Sequence, residues 1–215
     1  MSTARTRESV RGLYAVTPDT PDTQRLVELT RAALAGGARV VQYRNKLGPR
    51  ALLLVQARAL KELCAAHTAT FMVNDYVDIA LEVDADGIHI GKDDPVYADA
   101  RKAIGPGRII GVSCYRSLDN ARAAQASGAD YVAFGSFFAS RVKPGAVRAP
   151  LDLLTRAKAA LTVPVVAIGG IAPENAAQLA RAGADAIAVI SALFDAPDVT
   201  AAAQKLIASF GASHE

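Results

Sequence analysis

Short apolar runs alternate with longer amphipathic segments along most of this chain. Four of the runs open with nearly the same turn, which reads Gly-Ala-Arg at 37–39, Asp-Ala-Asp at 84–86, Gly-Ala-Asp at 128–130 and Gly-Ala-Asp at 183–185. Each turn follows a segment rich in Ala, Leu and Arg that has helical periodicity. The recurring unit is therefore predicted to be a helix, a tight turn and a buried strand.

The remaining apolar runs complete a set of eight predicted strands with helices between them. The strands are predicted at Leu13–Thr17, Arg39–Arg44, Thr70–Asn74, Gly87–Ile90, Arg108–Ser113, Tyr131–Gly135, Val165–Gly169 and Ala186–Ile190. Helices are predicted at Thr23–Ala35, Arg50–Ala66, Leu118–Ser127, Leu151–Ala160 and Pro173–Ala182. Eight β/α units in about 200 residues match the number of units and the minimum size of a TIM barrel.

The chain of 215 residues is therefore predicted to be one α/β domain, a single (β/α)8 TIM barrel, with residues 1–10 as a flexible tail. An open, doubly wound sheet is the alternative, and it usually has fewer strands and a Gly-x-Gly-x-x-Gly motif after the first strand. Here the first predicted strand ends in Ala-Val-Thr and runs into Pro18, which disfavours the open sheet.

Composition narrows the classes of function. The hydrophobic share is 51% with few aromatic residues, which fits helices packed on parallel strands. The net charge is only +3, and the cations are not interleaved with aromatic residues, so a nucleic-acid partner is not expected. Cys64 and Cys114 have no ligand spacing and no secretory signal precedes them, so they are expected to be reduced thiols of a cytoplasmic protein. No apolar run approaches the ~18 residues of a membrane span, and a homo-oligomer is compatible with the sequence.

The segment after the sixth predicted strand combines small residues, hydroxyls and cations. It runs through Gly135, Ser136 and Ser140 and then places Arg141 and Lys143 before a Pro-Gly pair. Glycine lets a ligand approach the backbone, hydroxyls donate hydrogen bonds and the cations attract anions. We expect this loop to close over a phosphorylated substrate, although a solvated surface loop fits the segment alone equally well.

Polar side chains also follow the other predicted strands, where the active sites of TIM barrels lie. Gln42 and Arg44 share one face of the second strand because side chains alternate along a strand, and Lys46 lies just beyond them. A buried arginine needs an anion, since an uncompensated buried charge costs several kcal/mol. A ligand anion is favoured, and an internal salt bridge to Asp75 or Asp94 is the alternative.

Asp75 and Asp94 follow neighbouring predicted strands, whose backbones run about 4.8 Å apart. Mg²⁺ commonly takes one or two carboxylates together with substrate phosphate oxygens. We expect the pair to hold Mg²⁺, while helix capping is the alternative and is favoured for Asp93.

The last two predicted strands end in Gly169-Gly170 and in Ser191, where TIM barrels often bind phosphate. Plain turns are the alternative. Ser113 lacks the final glycine of a nucleophile elbow and is expected to be a hydroxyl donor, and His89 is expected to be a packed, hydrogen-bonded residue and not a base. The sequence contains no convincing acid–base pair, catalytic triad or zinc set. Anion-binding groups and a metal pair suit a reaction whose difficulty is the charge on a departing diphosphate.

These motifs together resemble the thiamine phosphate synthase family, and the resemblance covers nearly the whole chain. The family motifs are present as Gln42-Tyr-Arg44-Asn-Lys46, Asn74-Asp75, Ala-Asp-Gly-Ile-His-Ile-Gly-x-x-Asp ending at Asp94, Gly111-Val-Ser113, a long loop ending at Lys143, Ile168-Gly-Gly170-Ile and Val189-Ile190-Ser191. The resemblance implies a TIM barrel that joins hydroxymethylpyrimidine diphosphate to a thiazole phosphate and releases diphosphate. It also implies a dissociative mechanism, in which diphosphate leaves before the thiazole nitrogen captures a pyrimidinylmethyl cation.

The resemblance also implies roles for individual residues. Those implied to hold the pyrimidine diphosphate are Gln42, Tyr43, Arg44, Asn45, Lys46, Asn74, Ser113 and Lys143, of which Arg44, Ser113 and Lys143 are the implied catalytic residues. Those implied to hold the thiazole phosphate are Ser140, Arg141, Val142, Gly170, Ile190 and Ser191. Asp75 and Asp94 would hold Mg²⁺.

One motif departs from the family pattern. The family usually has Pro-Thr-x-Thr-Lys in the long loop, whereas this chain has Ala139-Ser140-Arg141-Val142-Lys143. Because valine cannot donate a hydrogen bond, we expect a weaker or rearranged grip on the thiazole phosphate, with Arg141 as a compensating cation. The KM for thiazole phosphate should therefore change in Val142→Thr.

Two other functions compete with the synthase. A thiazole tautomerase-like relative would share the barrel without coupling the rings, and the complete set of cations and acids disfavours it. A non-catalytic phosphate-binding barrel would leave the metal pair without a purpose.

Overall fold

The computed structural model describes residues 9–91, 97–139, 145 and 147–211. Eight parallel strands pair in chain order and close into a barrel. They are β1 (Gly12–Val16), β2 (Val40–Tyr43), β3 (Thr70–Asn74), β4 (Gly87–Ile90), β5 (Ile109–Tyr115), β6 (Tyr131–Gly135), β7 (Val165–Ile168) and β8 (Ala186–Val189). The predicted TIM barrel is confirmed, and each predicted strand overlaps the observed one.

Helices connect the strands on the outside of the barrel. The described helices are α1 (Thr23–Ala35), α2 (Arg50–Ala66), α3 (Val77–Glu82), α4 (Tyr97–Ile104), α5 (Leu118–Ala126), α6 (Asp152–Ala160), α7 (Pro173–Arg181), α8 (Ser191–Phe194) and α9 (Val199–Gly211). The first two match their predicted bounds, and the other three that were delimited from sequence differ by one residue at one end. Local signals explain where α1 and α7 begin. The side chain of Asp22 accepts the Arg25 N–H before α1, and Pro173 occupies the first turn of α7.

Alternation along the strands separates the barrel interior from the layer beneath the helices. In β1, Tyr14 and Val16 belong to the interior cluster, while Leu13 and Ala15 pack toward the helices. The interior is closed by side chains from all around the barrel: Val10, Tyr14, Val16, Val40, Met72, Ile109, Tyr131, Ala133, Val166, Ala186 and Ala188. It is therefore a packed core on which a site can rest at one end.

A repeated ion pair explains the echo of Ala-Asp turns in the sequence. Asp86, Asp130 and Asp185 each precede an even-numbered strand and accept a backbone N–H near the start of the preceding strand. Each also binds a cation from the helix before that preceding strand: Lys61, Arg101 and Lys158 respectively. The aspartates thus clamp neighbouring strands at the amino end of the barrel. Before β2, the equivalent position of the turn is occupied by Arg39 and not by an aspartate.

The two ends of the described chain pack against the barrel. Val10 is fully buried in the interior cluster, so the predicted tail over residues 1–10 is wrong for this residue. Helix α9 packs against α1 and α7, and the Thr200 hydroxyl donates to the carbonyl of Ala32 at 3.0 Å. Cys64 and Cys114 are free and buried. Within the described ranges, no helix is both long and apolar enough to cross a bilayer.

Candidate active site at the carboxyl end of the barrel

Arg44 lies just beyond β2, and its charge is balanced by a carboxylate from the neighbouring loop. Its Nη1 donates to Asp19 Oδ2 at 2.6 Å, and only 16% of the Arg44 side chain is exposed. The backbone of Arg44 exchanges two hydrogen bonds with the hydroxyl of Thr17. Arg44 therefore does form a salt bridge, but with Asp19 and not with the aspartates considered from sequence. A guanidinium has five N–H donors, so this pair leaves donors for a ligand.

A second ion pair joins the loops after β2 and β3. Lys46 Nζ lies 3.1 Å from Asp75 Oδ2, with half of the lysine side chain exposed. The backbone N–H of Lys46 donates to Asp19 Oδ1 at 2.8 Å, so Asp19 holds both cationic residues of this loop. Asp75 has a φ of 65°, a left-handed conformation in which aspartate is enriched among non-glycine residues, and its N–H donates to the carbonyl of His89 at 2.9 Å.

Tyr43 and Asn45 alternate with the cationic residues and face other partners. The Tyr43 hydroxyl donates to Gln56 Oε1 at 2.8 Å outside the barrel. The Asn45 amide donates to that same oxygen and to the carbonyl of Thr20, and its own oxygen accepts two N–H groups of its loop. Both side chains are buried in the packing between β2 and α2, and the role in substrate binding that the resemblance implies for these two residues stays a prediction.

A chain of hydrogen bonds crosses the barrel interior below the mouth. Gln42 Nε2 donates to the Tyr14 hydroxyl at 2.9 Å, and this hydroxyl lies 2.8 Å from that of Tyr131. The Tyr131 hydroxyl contacts His89 Nδ1 at 2.8 Å, and His89 Nε2 contacts Ser113 Oγ at 2.8 Å. Burial raises the pKa values of both tyrosines, so they stay protonated. His89 is packed and hydrogen-bonded, as expected from the sequence.

The loops after β7 and β8 present backbone groups instead of charges. Gly170 has a φ of 65°, and an added Cβ would meet the carbonyl oxygen of Ala139 at 2.2 Å, so only glycine fits against the loop after β6. Asn175 holds this turn by donating to the carbonyl of Gly170 and accepting the N–H of Ala172, each at 3.0 Å. Within the described ranges, the N–H groups of Gly170 and Ser191 have no acceptor. They can therefore donate to an anion.

The structure describes two of the remaining predicted site residues, Asn74 and Ile190, and leaves five others outside the described ranges. Asn74 is half-buried at the end of β3, paired in register with His89, and Ile190 packs against the interior cluster. The predictions for Asp94, Ser140, Arg141, Val142 and Lys143 fall outside the described residues. Their described chain neighbours, Gly91 and Ala139, follow β4 and β6 at the carboxyl end of the barrel.

The described groups form two arcs around one mouth. Charged groups lie on the loops after β1, β2 and β3, where Asp19, Arg44, Lys46 and Asp75 form two linked ion pairs, and Ser113 adds a hydroxyl from β5. Glycine turns and backbone N–H donors lie after β7 and β8. The first arc suits a highly charged ligand with a metal, and the second suits a smaller anion.

Sequence reasoning missed Asp19 and Asn175 as parts of this arrangement. Asp19 stands two residues beyond Thr17, and because it follows a strand end its position was the available signal. Asn175 lies in the first turn of a helix that begins after Gly-Gly, and an asparagine there often caps the preceding loop. The interior partners Tyr14 and Tyr131 gave no such signal because 117 residues separate them.

Comparison with known proteins adds independent findings. A sequence profile of the thiamine monophosphate synthase family matches residues 13–193. The chain is 53% identical over 204 residues to a thiamine-phosphate synthase of Thiobacillus denitrificans, which covers 95% of this chain and 97% of that protein. It is 56% identical over 203 residues to one of Chromobacterium violaceum, which covers 94% and 98%. The structure of a thiamine phosphate pyrophosphorylase from Pyrococcus furiosus is similar with a TM-score of 0.87 and 38% identity, over 97% of this chain and 99% of that one.

Proposed function

Because the chain belongs to the thiamine monophosphate synthase family, we propose that it is a transferase that makes thiamine phosphate. It would join 4-amino-2-methyl-5-hydroxymethylpyrimidine diphosphate to a thiazole phosphate and release diphosphate. The observation that carries the proposal is the pair of arcs at one barrel mouth, since the reaction needs one site for a diphosphate and another for a monophosphate.

The charged arc is the proposed site of the pyrimidine diphosphate. Arg44 and Lys46 are both held by Asp19, and Ser113 adds a hydroxyl on the other side of the mouth. Asn74 supplies an amide between them. Gln42 would contact the pyrimidine ring from below, because its amide nitrogen is fixed to Tyr14 and its oxygen is left for the ligand. Lys143 would join this arc from the loop after β6.

The residues present fit a magnesium ion at Asp75. This carboxylate lies at the mouth with only Lys46 against it among the described side chains, and Mg²⁺ needs few protein carboxylates when substrate phosphates complete its shell. We propose Asp94 as the second carboxylate. When bound, the ion would neutralise charge that develops on the departing diphosphate. Asp75 would then exchange its contact with the Lys46 ammonium for the ion, which frees this lysine for the diphosphate.

The backbone arc is the proposed site of the thiazole phosphate. The N–H groups of Gly170 and Ser191 are available donors, and Asn175 keeps the glycine turn in place. Ile190 packs against the interior cluster and provides an apolar surface beside them for a ring. Ser140, Arg141 and Val142 are proposed to complete this site.

The proposed reaction needs no strong base. The bond between the pyrimidine methylene carbon and the diphosphate oxygen breaks, and the electron pair leaves with diphosphate. The lone pair of the thiazole nitrogen then forms the new C–N bond to the cationic carbon, and no proton has to be removed. The donors of Arg44, Lys46, Ser113 and Lys143 would stabilise the leaving group, and electrostatic stabilisation of this type contributes most of the rate enhancement in many enzymes.

Incubation of the protein with both phosphorylated rings and Mg²⁺ tests the proposal. We expect thiamine phosphate and diphosphate, identified by mass, and no product when the metal is omitted. Lys143→Ala should lower kcat by about a hundredfold or more, since removal of one donor to developing charge commonly costs this much. A mixture without product would contradict the proposal.

The same incubation, together with a thermal-shift measurement with diphosphate in the presence and absence of Mg²⁺, separates the competing functions. Isomerisation of the thiazole without coupling would identify a tautomerase-like protein. Binding of diphosphate without turnover, and without a metal-dependent rise in melting temperature, would identify a non-catalytic phosphate-binding barrel. A cytoplasmic location stays a prediction from the sequence.

A further inference from the structure

The hydrogen-bonded chain through the barrel interior connects two residues of the proposed pyrimidine site. It begins at Gln42 and ends at Ser113, and three residues without a role in the proposed reaction lie between them: Tyr14, Tyr131 and His89. Every link is 2.8–2.9 Å long, within the normal range for hydrogen bonds. We infer that this chain, called the relay below, does more than fill the core.

Counting protons gives the relay a direction. The Tyr14 hydroxyl accepts a hydrogen bond from the amide of Gln42, so its single proton is donated to the oxygen of Tyr131. The Tyr131 hydroxyl then donates its own proton to His89 Nδ1. Both tyrosines are fully buried, and their hydroxyls have no other acceptor among the described residues.

The direction fixes the tautomer of His89. Because Nδ1 accepts from Tyr131, the ring proton sits on Nε2, which donates to Ser113 Oγ. Ser113 already accepts at its oxygen, so its own proton points to another acceptor. Ser113 is only half-buried at the carboxyl end of β5, where the diphosphate would bind.

We propose that Tyr14, Tyr131 and His89 are positioning residues that hold the Ser113 hydroxyl as a committed hydrogen-bond donor toward the leaving diphosphate. This proposal rests on the proposed function. In the opposite tautomer, Nε2 would accept the Ser113 proton and the hydroxyl would turn its lone pairs toward an anion. Gln42 sets the direction from the far end, through the orientation of its amide.

Two substitutions of His89 separate the ends of the relay. The amide nitrogen of glutamine can take the place of Nε2, so His89→Gln keeps a donor for Ser113. The amide of asparagine reaches only the place of Nδ1, so His89→Asn keeps an acceptor for Tyr131 and loses the donor. We expect kcat to fall about ten- to hundredfold in His89→Asn, the value of one hydrogen bond to a charged group, with little change in KM. His89→Gln should stay within about fivefold of wild type.

A double substitution separates positioning from packing. If His89 acts through Ser113, then His89→Asn combined with Ser113→Ala should be no slower than Ser113→Ala alone, because groups that act as a unit are not additive. If the two losses multiply, His89 acts independently of Ser113 and the proposal is overturned.

The tautomer of His89 can be measured directly, without turnover of substrate. ¹⁵N NMR of the histidine ring in the substrate-free protein should show a proton on Nε2 and none on Nδ1. Tyr131→Phe should weaken this preference, whereas the control Tyr97→Phe should leave it and kcat unchanged. The control removes a hydroxyl that donates to the carbonyl of Gly128, at the opposite end of the barrel. A proton on Nδ1 in the wild-type protein would overturn the relay.

The two readouts distinguish which proposal fails. Wild-type protein that makes no thiamine phosphate would overturn the proposed function and this inference with it. Active wild-type protein with the Nδ1–H tautomer, or with multiplying losses in the double variant, would overturn the inference alone.

Discussion

Gly111→Ala is expected to damage both the fold and the site, because this position of β5 faces the ring of Tyr131. A Cβ added at Gly111 would lie 1.9 Å from Cζ and 2.3 Å from the hydroxyl oxygen of Tyr131. Tyr131 is fully buried, and its hydroxyl is bonded to Tyr14 and His89, so the ring has no free direction to move. The backbone of Gly111 is not left-handed, so the effect comes from space alone.

The magnitude follows from the displacement that the clash requires. The shortfall from an ordinary 3.4 Å contact is about 1.5 Å, a shift that breaks both hydrogen bonds of the Tyr131 hydroxyl. Overpacking costs about 1–3 kcal/mol, and each lost hydrogen bond adds about 0.5–1.5 kcal/mol. We expect Gly111→Ala to lower the free energy of unfolding by about 2–6 kcal/mol, a large part of the ~5–15 kcal/mol typical of a domain.

Urea unfolding followed by circular dichroism measures this loss. Gly107→Ala is the matched control, because an added Cβ there meets nothing within 4 Å. Tyr131→Leu removes the ring atoms that clash, so its combination with Gly111→Ala should lose less stability than the two changes summed. A Gly111→Ala variant as stable as the Gly107→Ala control would refute the packing argument.

Three further outcomes are expected from single substitutions. Asp185→Ala should lower the free energy of unfolding in urea by about 2 kcal/mol, because the buried N–H of Val165 loses its acceptor. Asp119→Ala, at an exposed position, should change this free energy by less than about 0.5 kcal/mol, and equal losses in the two variants would contradict the clamp. Asn175→Ala should raise the KM for thiazole phosphate severalfold and leave that for the pyrimidine diphosphate unchanged, because it frees the Gly170 turn; steady-state kinetics in which both KM values rise equally would contradict this placement. Burial raises the pKa of Tyr43, so the contribution of this residue to stability is complete below its unfolded pKa of about 10 and is lost as the pH rises above that value. Tyr43→Phe should therefore reduce the alkaline slope of the unfolding free energy by up to about 1.4 kcal/mol per pH unit, and an unchanged slope would refute this.

Periodicity in the sequence was sufficient to predict the barrel. The strands are buried on both faces over most of their length, and each helix that was delimited buries a stripe of apolar residues, so period and turn chemistry point to the same elements. The repeated Ala-Asp turns carried extra information, because Asp86, Asp130 and Asp185 each clamp two strands in the structure. The last helices were harder to delimit, since α8 has only four residues.

Alternation along β2 predicted which side chains of this segment lie together. Gln42 and Arg44 lie on the mouth side as predicted, and Tyr43 and Asn45 on the other face both donate to Gln56. The partner of Arg44 could not be predicted, because Asp19 lies in a loop whose path depends on the closed barrel. Contacts between distant interior residues, such as Tyr14 with Tyr131, require the fold itself.

The proposed function depends most on both phosphates and the metal binding at one mouth of the barrel. A crystal structure of the protein with diphosphate, a thiazole phosphate and Mn²⁺ in place of Mg²⁺, with the metal located by anomalous scattering, measures this directly. We predict Mn²⁺ on Asp75, diphosphate against Arg44 and Ser113, and the monophosphate at the N–H groups of Gly170 and Ser191. Metal or diphosphate bound at the amino end of the barrel, among the Asp86, Asp130 and Asp185 clamps, would contradict it.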